Sequence, residues 1–577
     1  MNPRAGYPGE RRFYPGTRWL RWMWLLGLGI LLLWPLLSRP TAARGPVIVG
    51  EVYDTNGHPI ADVRVTLLQD NRPTAETHTQ QDGRFVLEVP DPRAEDAHLL
   101  FRRAHYTDQK LSLPPDAHHQ LMAGQPVELP PVRLSRRQTL AFWATLGIFL
   151  LMLGLIASGR LHNTMAALVG TSLIFLVSYL GRLFLPDLFI FDFEAAVHYV
   201  DWDVIFLVMG MMIFVAIVER TGLFQWLAFK AYRVSRGKAW VLLPILMAVT
   251  GVASAFLDNV TTMLLMAPIS VEIALALSMN PLALLIPEVM ASNVAGVSTL
   301  IGTPTNILIS SYAGISFDDF LLHLTPGVLL AFLGLILYSE WVYRHELRAA
   351  TLLSPELVQK LAEHAHITDP VALRKAGWVG AGMLLLFILG EHLHVEPAVT
   401  ALVGATVLLL WVRLDIEEMI EAVDWTTLVF FISLFIVIGA VREVGIIDMV
   451  AQAIGHFVGQ NKALAMLTIM WSGAFLSAVV DNIPFTAAML PVVGTLTGHI
   501  PGAEDKALYY CLSVGSAMGG NGTLIGSSPN LVTAGIAERA GYPITYSEFL
   551  KRGIPAVLIT VTLAGTWLLL HFLGIGP

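Results

Sequence analysis

An offset of 223 residues brings two stretches of this chain into register, and that repetition constrains the fold more than any single motif does. Val200-Asp201-Trp202 returns as Val423-Asp424-Trp425, Gly222 as Gly445, Asp258-Asn259 as Asp481-Asn482 and Pro268 as Pro491, all without a gap. One residue later in register, Thr299-Leu300-Ile301-Gly302 and Asn306 return as Thr523-Leu524-Ile525-Gly526 and Asn530. Chance identity gives isolated matches, not an ordered series, and an internal repeat decides the architecture before any one residue does. Repeated halves with charged and Gly/Pro-interrupted hydrophobic segments are the sequence sign of a secondary transporter.

Composition places both halves in lipid. The 577 residues are 55% hydrophobic and 14% charged, too little charge to cover a soluble protein of this size. The net charge of −8 gives no reason to expect a nucleic-acid partner, and the single Cys511 excludes a disulfide framework and a cysteine metal site. Segments near the ~20 residues that cross the hydrocarbon core run at 139–158, 163–184, 203–219, 285–312 and 325–342, then at 376–391, 397–412, 425–441, 508–535 and 553–574. Between the third and fourth spans of each half lies a longer apolar stretch, 239–278 and 461–498, with the Asp-Asn pair at its middle. If each stretch dips in and returns, each half crosses five times and the second is inverted. Lys230, Arg233, Arg236, Lys238 and the whole 343–375 linker then fall on the cytoplasmic side, as the positive-inside rule asks. The expected fold is an all-α polytopic membrane protein of the plasma (inner) membrane. Repeat 1 occupies 139–342 and repeat 2 occupies 376–577, each with five spanning helices and a re-entrant hairpin.

Ahead of the repeats, residues 1–43 carry an apolar run from Trp19 to Leu37 behind Arg4, Arg11, Arg12 and Arg18. This reads as an anchor, with a signal peptide cleaved near Thr41-Ala42-Ala43 as the alternative. Residues 46–134 alternate apolar and polar along Val47–Val52, Val63–Leu67 and Phe85–Val89, separated by Asn56-Gly57 and Asp82-Gly83. Period-two strands split by such turns predict a small antiparallel β-sandwich, placed outside the cytoplasm as an accessory. Its pattern resembles the carboxypeptidase regulatory-like domains, which implies a fold and a spacer or binding role but no chemistry.

Asp258 and Asp481 are the leading site candidates, because a charge inside the bilayer costs at least ~2.5–3.5 kcal/mol and marks function by default. Each sits where the backbone must turn, and irregular backbone at that depth survives only beside a buried or wet cavity. Asn259 and Asn482 add amides, and Thr261, Thr262 and Thr486 add hydroxyls. The plainer alternative is that each Asp only caps the returning helix. The fourth span of each half is broken by Gly302-Thr303-Pro304-Thr305-Asn306 and Gly526-Ser527-Ser528-Pro529-Asn530. A Thr or Ser cap before a proline fits Thr303-Pro304 and Ser528-Pro529 as starts of new half-helices; a simple proline kink is the alternative. Unwinding frees carbonyls for a cation, and half-helix N-termini favour an anion. Thr299, Thr523, Gly302, Gly526, Asn306 and Asn530 therefore join the candidates.

Three segments carry a family resemblance: Ser254-Ala255-Phe256-Leu257-Asp258-Asn259-Val260-Thr261-Thr262, Ala291-Ser292-Asn293-Val294-Ala295-Gly296, and Gly519-Gly520-Asn521-Gly522-Thr523-Leu524-Ile525-Gly526. They are similar to the ion transporter superfamily, in particular its arsenite permease/NhaD-type antiporter branch with P-protein-like and citrate-transporter-like membrane domains. The resemblance covers roughly 139–577. It implies inverted repeats, opposed hairpins, elevator-type motion and a homodimer, and it adds Asn293 and Asn521 to the site. P-protein-like members carry Gly-Asp-Pro-Pro-Asn where this chain has Gly302-Thr303-Pro304-Thr305-Asn306, so that acid is not carried over.

Two carboxylates at one site repel an anion and favour Na⁺ or a held proton, so the expected function is cation-coupled exchange. An anion permease for arsenite, dicarboxylate or chloride is the alternative. Remoter ones are a membrane aspartyl hydrolase, whose Gly-x-Gly-Asp signature is absent, and a sensor. Glu272 and Glu288 read as interfacial. His392 and His394 read as a solvated loop. No cofactor is expected beyond Na⁺ or H⁺ as coupling ion, and the partners expected are lipid and a small inorganic ion or small anion.

Overall fold

A computed structural model describes residues 46–574 apart from 56, 58, 71, 92–96, 351–365 and 414. The expected 1–43 anchor, Asn56 of the first turn and residues 351–365 of the 343–375 linker lie outside the described residues. The chain divides after Arg137 into two units.

In the first unit the strands are β1 (Val47–Asp54), β2 (Arg64–Gln69), β3 (Arg72–His78), β4 (Arg84–Glu88), β5 (Ala97–Arg102), β6 (Gln109–Ser112), β7 (Val127–Glu128) and β8 (Val132–Leu134). One helix, α1 (Pro115–Met122), precedes β7. Burial alternates along β1, as its period-two pattern requires. One sheet runs β3-β2-β5-β6 and is antiparallel; the other runs β4-β1-β7, with β8 also on β1. β1 pairs antiparallel with β4 but parallel with β7 and β8, so this sheet is mixed rather than purely antiparallel. The reason is connectivity: β7 and β8 arrive by the α1 crossover, not by a hairpin. Val52, Val65, Leu67, Phe85, Leu99 and Phe101 form the core. Gly83 at φ +77° is demanded twice, since a Cβ there would also stand 2.6 Å from the Val52 carbonyl oxygen.

The second unit is helical. Counting helices of eight residues or more, the first half has α2 (Leu140–Ser158), α3 (Asn163–Leu176, continued to Phe184), α4 (Trp202–Glu219), α5 (Leu223–Ser235), α6 (Ala239–Phe256), α7 (Asn259–Ala276), α8 (Leu282–Gly296), α9 (Pro304–Ala313) and α10 (Phe317–Val342). In the second half the series continues with α11 (Pro370–Leu393), α12 (Pro397–Val412), α13 (Trp425–Glu443), α14 (Ile446–Val458), α15 (Lys462–Ser477), α16 (Asn482–His499), α17 (Ala507–Gly519), α18 (Ser528–Arg539) and α19 (Tyr546–Phe572). Among the described residues nine helices are long and apolar enough to cross a membrane. The predicted fourth spans are broken in both halves, and α12, at 16 residues, is shorter than the nine.

Each matched residue of the repeat has a local duty. Asp201 caps α4 through Val204 N–H at 3.2 Å, and Asp424 caps α13 through Thr427 N–H at 3.2 Å. Gly222 and Gly445, at φ +77° and +88°, make the left-handed step from α4 to α5 and from α13 to α14. Pro268 and Pro491 lie inside α7 and α16. Packing also repeats with the halves exchanged. Helix α3 packs on α13 and α4 on α12, while α6 packs on α8 and α15 on α17. Hydroxyls of Thr164 and Thr171 on α3 donate to the carbonyls of Thr426 and Ser433, at 2.9 and 3.0 Å. Sequence reading missed α5 and α14, two short helices between the third span and the hairpin stretch. The face of α5 that is buried, Phe224, Ala228, Ala231 and Tyr232, has helical spacing that was readable.

Candidate functional site

The α6–α7 junction is two extended residues, Leu257 and Asp258. Asp258 Oδ1 accepts from the N–H groups of Val260 and Thr261 at 2.9 and 3.0 Å, and its Oδ2 accepts from the Thr261 hydroxyl at 2.5 Å. Capping is therefore real, but it uses one oxygen fully and leaves the second with a single donor. Asp481 sits at the equivalent junction of α15 and α16. Its Oδ1 accepts from Ile483 N–H at 3.1 Å, and its Oδ2 from the Ser528 hydroxyl at 2.7 Å and the Asn163 amide at 3.4 Å. Asp481 is 3% exposed, whereas Asp258 is only half-buried. The difference follows from sequence: Ser528 aligns with Pro304, so the first half has no hydroxyl at that place.

The broken fourth spans are interruptions, 297–303 in the first half and 520–527 in the second, not kinks. In the first half Asn306 donates through Nδ2 to the carbonyls of Val297 and Thr299 at 3.0 and 2.8 Å. In the second, Asn530 donates to those of Gly520 and Thr523 at 2.8 and 3.0 Å. One amide thus staples each loop. Thr299 and Thr523 hydroxyls donate to Ala255 and Ala478 carbonyls, tying each loop to the end of the preceding arm. Gly302 is required because a Cβ would stand 2.4 Å from the Gly296 oxygen and 2.8 Å from the Ser254 oxygen. Gly526 repeats this more loosely, at 2.9 Å from Gly520 and 3.0 Å from Ser477. Thr303 caps α9 through Asn306 N–H at 3.2 Å, with Pro304 first in the helix. The second half departs from the expected Ser528-Pro529 start. Helix α18 begins at Ser528, and its N-cap Ser527 makes no side-chain cap, because its hydroxyl turns 3.3 Å to Asn293.

Asn293 joins the two halves. Its amide donates to Asn521 Oδ1 at 2.8 Å and Asn530 Oδ1 at 3.2 Å, while its oxygen accepts from Asn259 Nδ2 at 2.9 Å and from Ser527. Asn259 in turn accepts from the Ser254 hydroxyl at 2.7 Å, and Asn521 donates to the Met290 carbonyl at 3.1 Å. All of these groups are buried. Asn482 is buried too, but the bonds of Asn259 are not repeated at it; Thr486 donates back to the Asn482 carbonyl at 2.7 Å. The Thr262 hydroxyl is buried without a partner among the described residues. Asn306 stands apart from the cluster, its oxygen accepting from Ser513 at 2.5 Å.

A cavity of about 500 Å³ reaches Asp258 and Thr261 from the starts of α3 and α13, lined also by Asn163, Asp424, Thr426 and Ser528. Asp481 lies behind that wall, bonded to two of its residues, Asn163 and Ser528. The structure therefore brings Asp258 to the cavity wall, Asp481 to the layer behind it and the asparagines to a drier centre beside it. Asn163, Asp424 and Thr426 were not singled out from sequence, since a polar residue opening a span reads as an ordinary helix end. Glu288, read as interfacial, is fully buried on α8 instead; Glu272 is exposed. The mistake came from placing Glu288 near a helix end, when α8 starts at Leu282 and packs on neighbours all round. No cluster of three or more His, Cys, Asp or Glu suited to a metal occurs among the described residues.

The comparisons agree with this architecture. A family model described as a citrate transporter matches residues 149–507. A 46 kDa membrane protein of Mycobacterium leprae is 35% identical over 430 residues, 74% of this chain and 98% of the relative. An uncharacterized transporter of Mycobacterium tuberculosis is 36% identical over 426 residues, covering 74% of this chain and 97% of the relative. The human P protein is 30% identical over 496 residues, 72% of this chain but 58% of that protein. Among solved structures, the YdaH transporter of Alcanivorax borkumensis superposes with a TM-score of 0.50 at 13% identity, over 76% of this chain and all of that one, a likeness of fold alone. The chain is an integral membrane transporter and belongs to the CitMHS citrate transporter family of the ion transporter superfamily.

Proposed function

We propose that this transporter is a secondary active, cation-coupled exchanger, with Na⁺ or H⁺ bound at Asp258 and Asp481 and an elevator-type alternating access. The observation that carries the reading is the pair of aspartates at one cavity, Asp258 on its wall and Asp481 behind Ser528 and Asn163. With Glu219 and Asp424 also on the wall, the acidic groups there attract a small cation and oppose an anion. Thr261, the threonines of the α13 start and the carbonyls of the loops supply hard oxygen atoms of the kind such ions take. Exchange of packing partners between halves supports a pseudo-two-fold relation, and the loop charges support its being an inversion. On that topology the starts of α3 and α13 and the end of α4 are cytoplasmic, so the cavity opens inward. The β unit is then extracytoplasmic, a carboxypeptidase regulatory-like spacer, and the chain works as a homodimer in the inner membrane.

The second reading is an anion permease. Uncharged asparagines at the centre and the N-termini of α9 and α18 beside them favour a carboxylate, and citrate is what the family's description names. Flux in proteoliposomes separates the two. Citrate, arsenite and chloride movement that ignores imposed Na⁺ and H⁺ gradients would discard cation coupling.

A further inference from the structure

Among the described residues Glu288 is the one fully buried acid of the transport unit that the aspartate pair leaves unused. It is 0% exposed. Its Oε1 takes the Ser270 hydroxyl at 2.8 Å, and its Oε2 has no partner among the described residues. A bare carboxylate oxygen in such a place is expensive, whereas the carbonyl oxygen of a neutral acid is cheap. Among the described residues no charged group is paired with Glu288. Helices α6 and α8 and the 520–522 turn carry no other titratable side chain. Helix α7 carries Glu272, α10 Asp318, Asp319, His323, Tyr338 and Glu340, and α17 Tyr509, Tyr510 and Cys511. Helix α18 carries Glu538 and Arg539, and α19 Tyr546, Glu548, Lys551, Arg552 and His571. Among the described residues none of them is bonded to the Glu288 carboxyl, whose side-chain hydrogen bond is the one from Ser270.

The repeat shows that packing does not require this acid. With the offset of 224 that relates Gly296 to Gly520 at the end of the same helix, Glu288 corresponds to Leu512. With the offset of 223 that relates Pro268 to Pro491, Ser270 corresponds to Val493. The second half therefore fills the same place with an apolar pair, both members fully buried. A fold that can close with Val and Leu keeps an acid and a hydroxyl on one side only. That acid lies on the helix that also presents Asn293 to the centre of the site.

We infer that Glu288 is a proton-binding site, neutral in this state, that takes up one H⁺ from water on one side of the membrane and returns it to water on the other in each transport cycle. This rests on the cation-coupled reading and assigns it a proton. The test uses full-length protein in proteoliposomes with a trapped pH dye, pulsed with Na⁺ or citrate. Wild type is expected to move H⁺. Glu288→Gln, which keeps the shape and the Ser270 bond, is expected to unfold at the wild-type temperature yet lose H⁺ movement and the pH dependence of flux. Should Gln fail to fold, the pair Ser270→Val with Glu288→Leu rebuilds the second-half packing and is expected to give the same loss. Wild-type H⁺ movement that persists in either folded variant overturns the assignment and leaves cation coupling standing. Wild-type flux that moves Na⁺ but no H⁺ also overturns it, and flux coupled to neither ion overturns both.

Discussion

Asn293→Ala is the sharpest perturbation of the centre, and its cost can be worked from four hydrogen bonds. Truncation removes bonds to Asn259, Asn521, Asn530 and Ser527. Asn530 and Asn521 keep their own amide bonds to Gly520, Thr523 and Met290 carbonyls, so they lose only an acceptor's partner. The Asn259 amide and the Ser527 hydroxyl are the donors left bare in a buried place. At about 0.6 kcal/mol per interhelical bond in a membrane, four bonds set a floor of roughly 2 kcal/mol. At about 1–3 kcal/mol per buried donor left unsatisfied, two donors raise the ceiling to roughly 6 kcal/mol. Water entering the truncated space recovers part, so the expected loss is roughly 2–5 kcal/mol. Unfolding of purified protein in detergent, followed by denaturant titration, measures it. Asn293→Asp, which keeps both acceptor positions but cannot donate to Asn521 and Asn530, is expected to be damaged as well. A change within about 0.5 kcal/mol for Asn293→Ala, the ordinary surface range, would refute the claim that this residue joins the halves.

Other outcomes follow from the same geometry. Gly302→Ala is expected to destabilise by at least the ~1–3 kcal/mol of overpacking, and more than Gly526→Ala, since its Cβ meets backbone at 2.4 Å rather than 2.9 Å; equal melting temperatures would contradict this. Ser528→Ala removes one of the two side-chain donors to Asp481 Oδ2 and is expected to impair transport more than stability, read as flux per folded molecule. Single cysteines at His78 and at Arg348, in protein lacking Cys511, should label from outside at 78 only; labelling of intact cells at 348 alone would reverse the proposed topology.

Much of the fold was legible because lipid leaves few choices. Apolar runs bounded by Gly, Pro and Asp gave α2, α3, α4 and α13 almost to the residue, and the repeat pointed to the Asp258 and Asp481 junctions and to the two broken spans. What sequence could not give is partner choice. That Asn293 would bind Asn521 and Asn530 of the other half, or that Ser528 would serve Asp481 rather than cap α18, depends on which helices the halves exchange. Glu288 was misread for a related reason: a lone acid near an apparent helix end looks interfacial until its neighbours are known. The mixed sheet of the β unit was hidden because turn residues such as Pro114-Pro115 and Gly124 mark where the chain breaks but not which strand the next one joins, or in which direction.

On the proposed function, Asp258 on the cavity wall and Asp481 behind it couple transport to a cation. The most direct measurement is Na⁺ uptake and H⁺ release in proteoliposomes, compared between wild type and Asp258→Asn and Asp481→Asn, with flux normalised to folded protein. Asparagine caps a helix as well as aspartate does, so a purely structural role predicts near-normal flux in both variants. Cation coupling at the aspartates predicts gradient-driven cation flux in wild type, and both variants folded but inactive or blind to the gradient. Full coupled flux in both variants would contradict it.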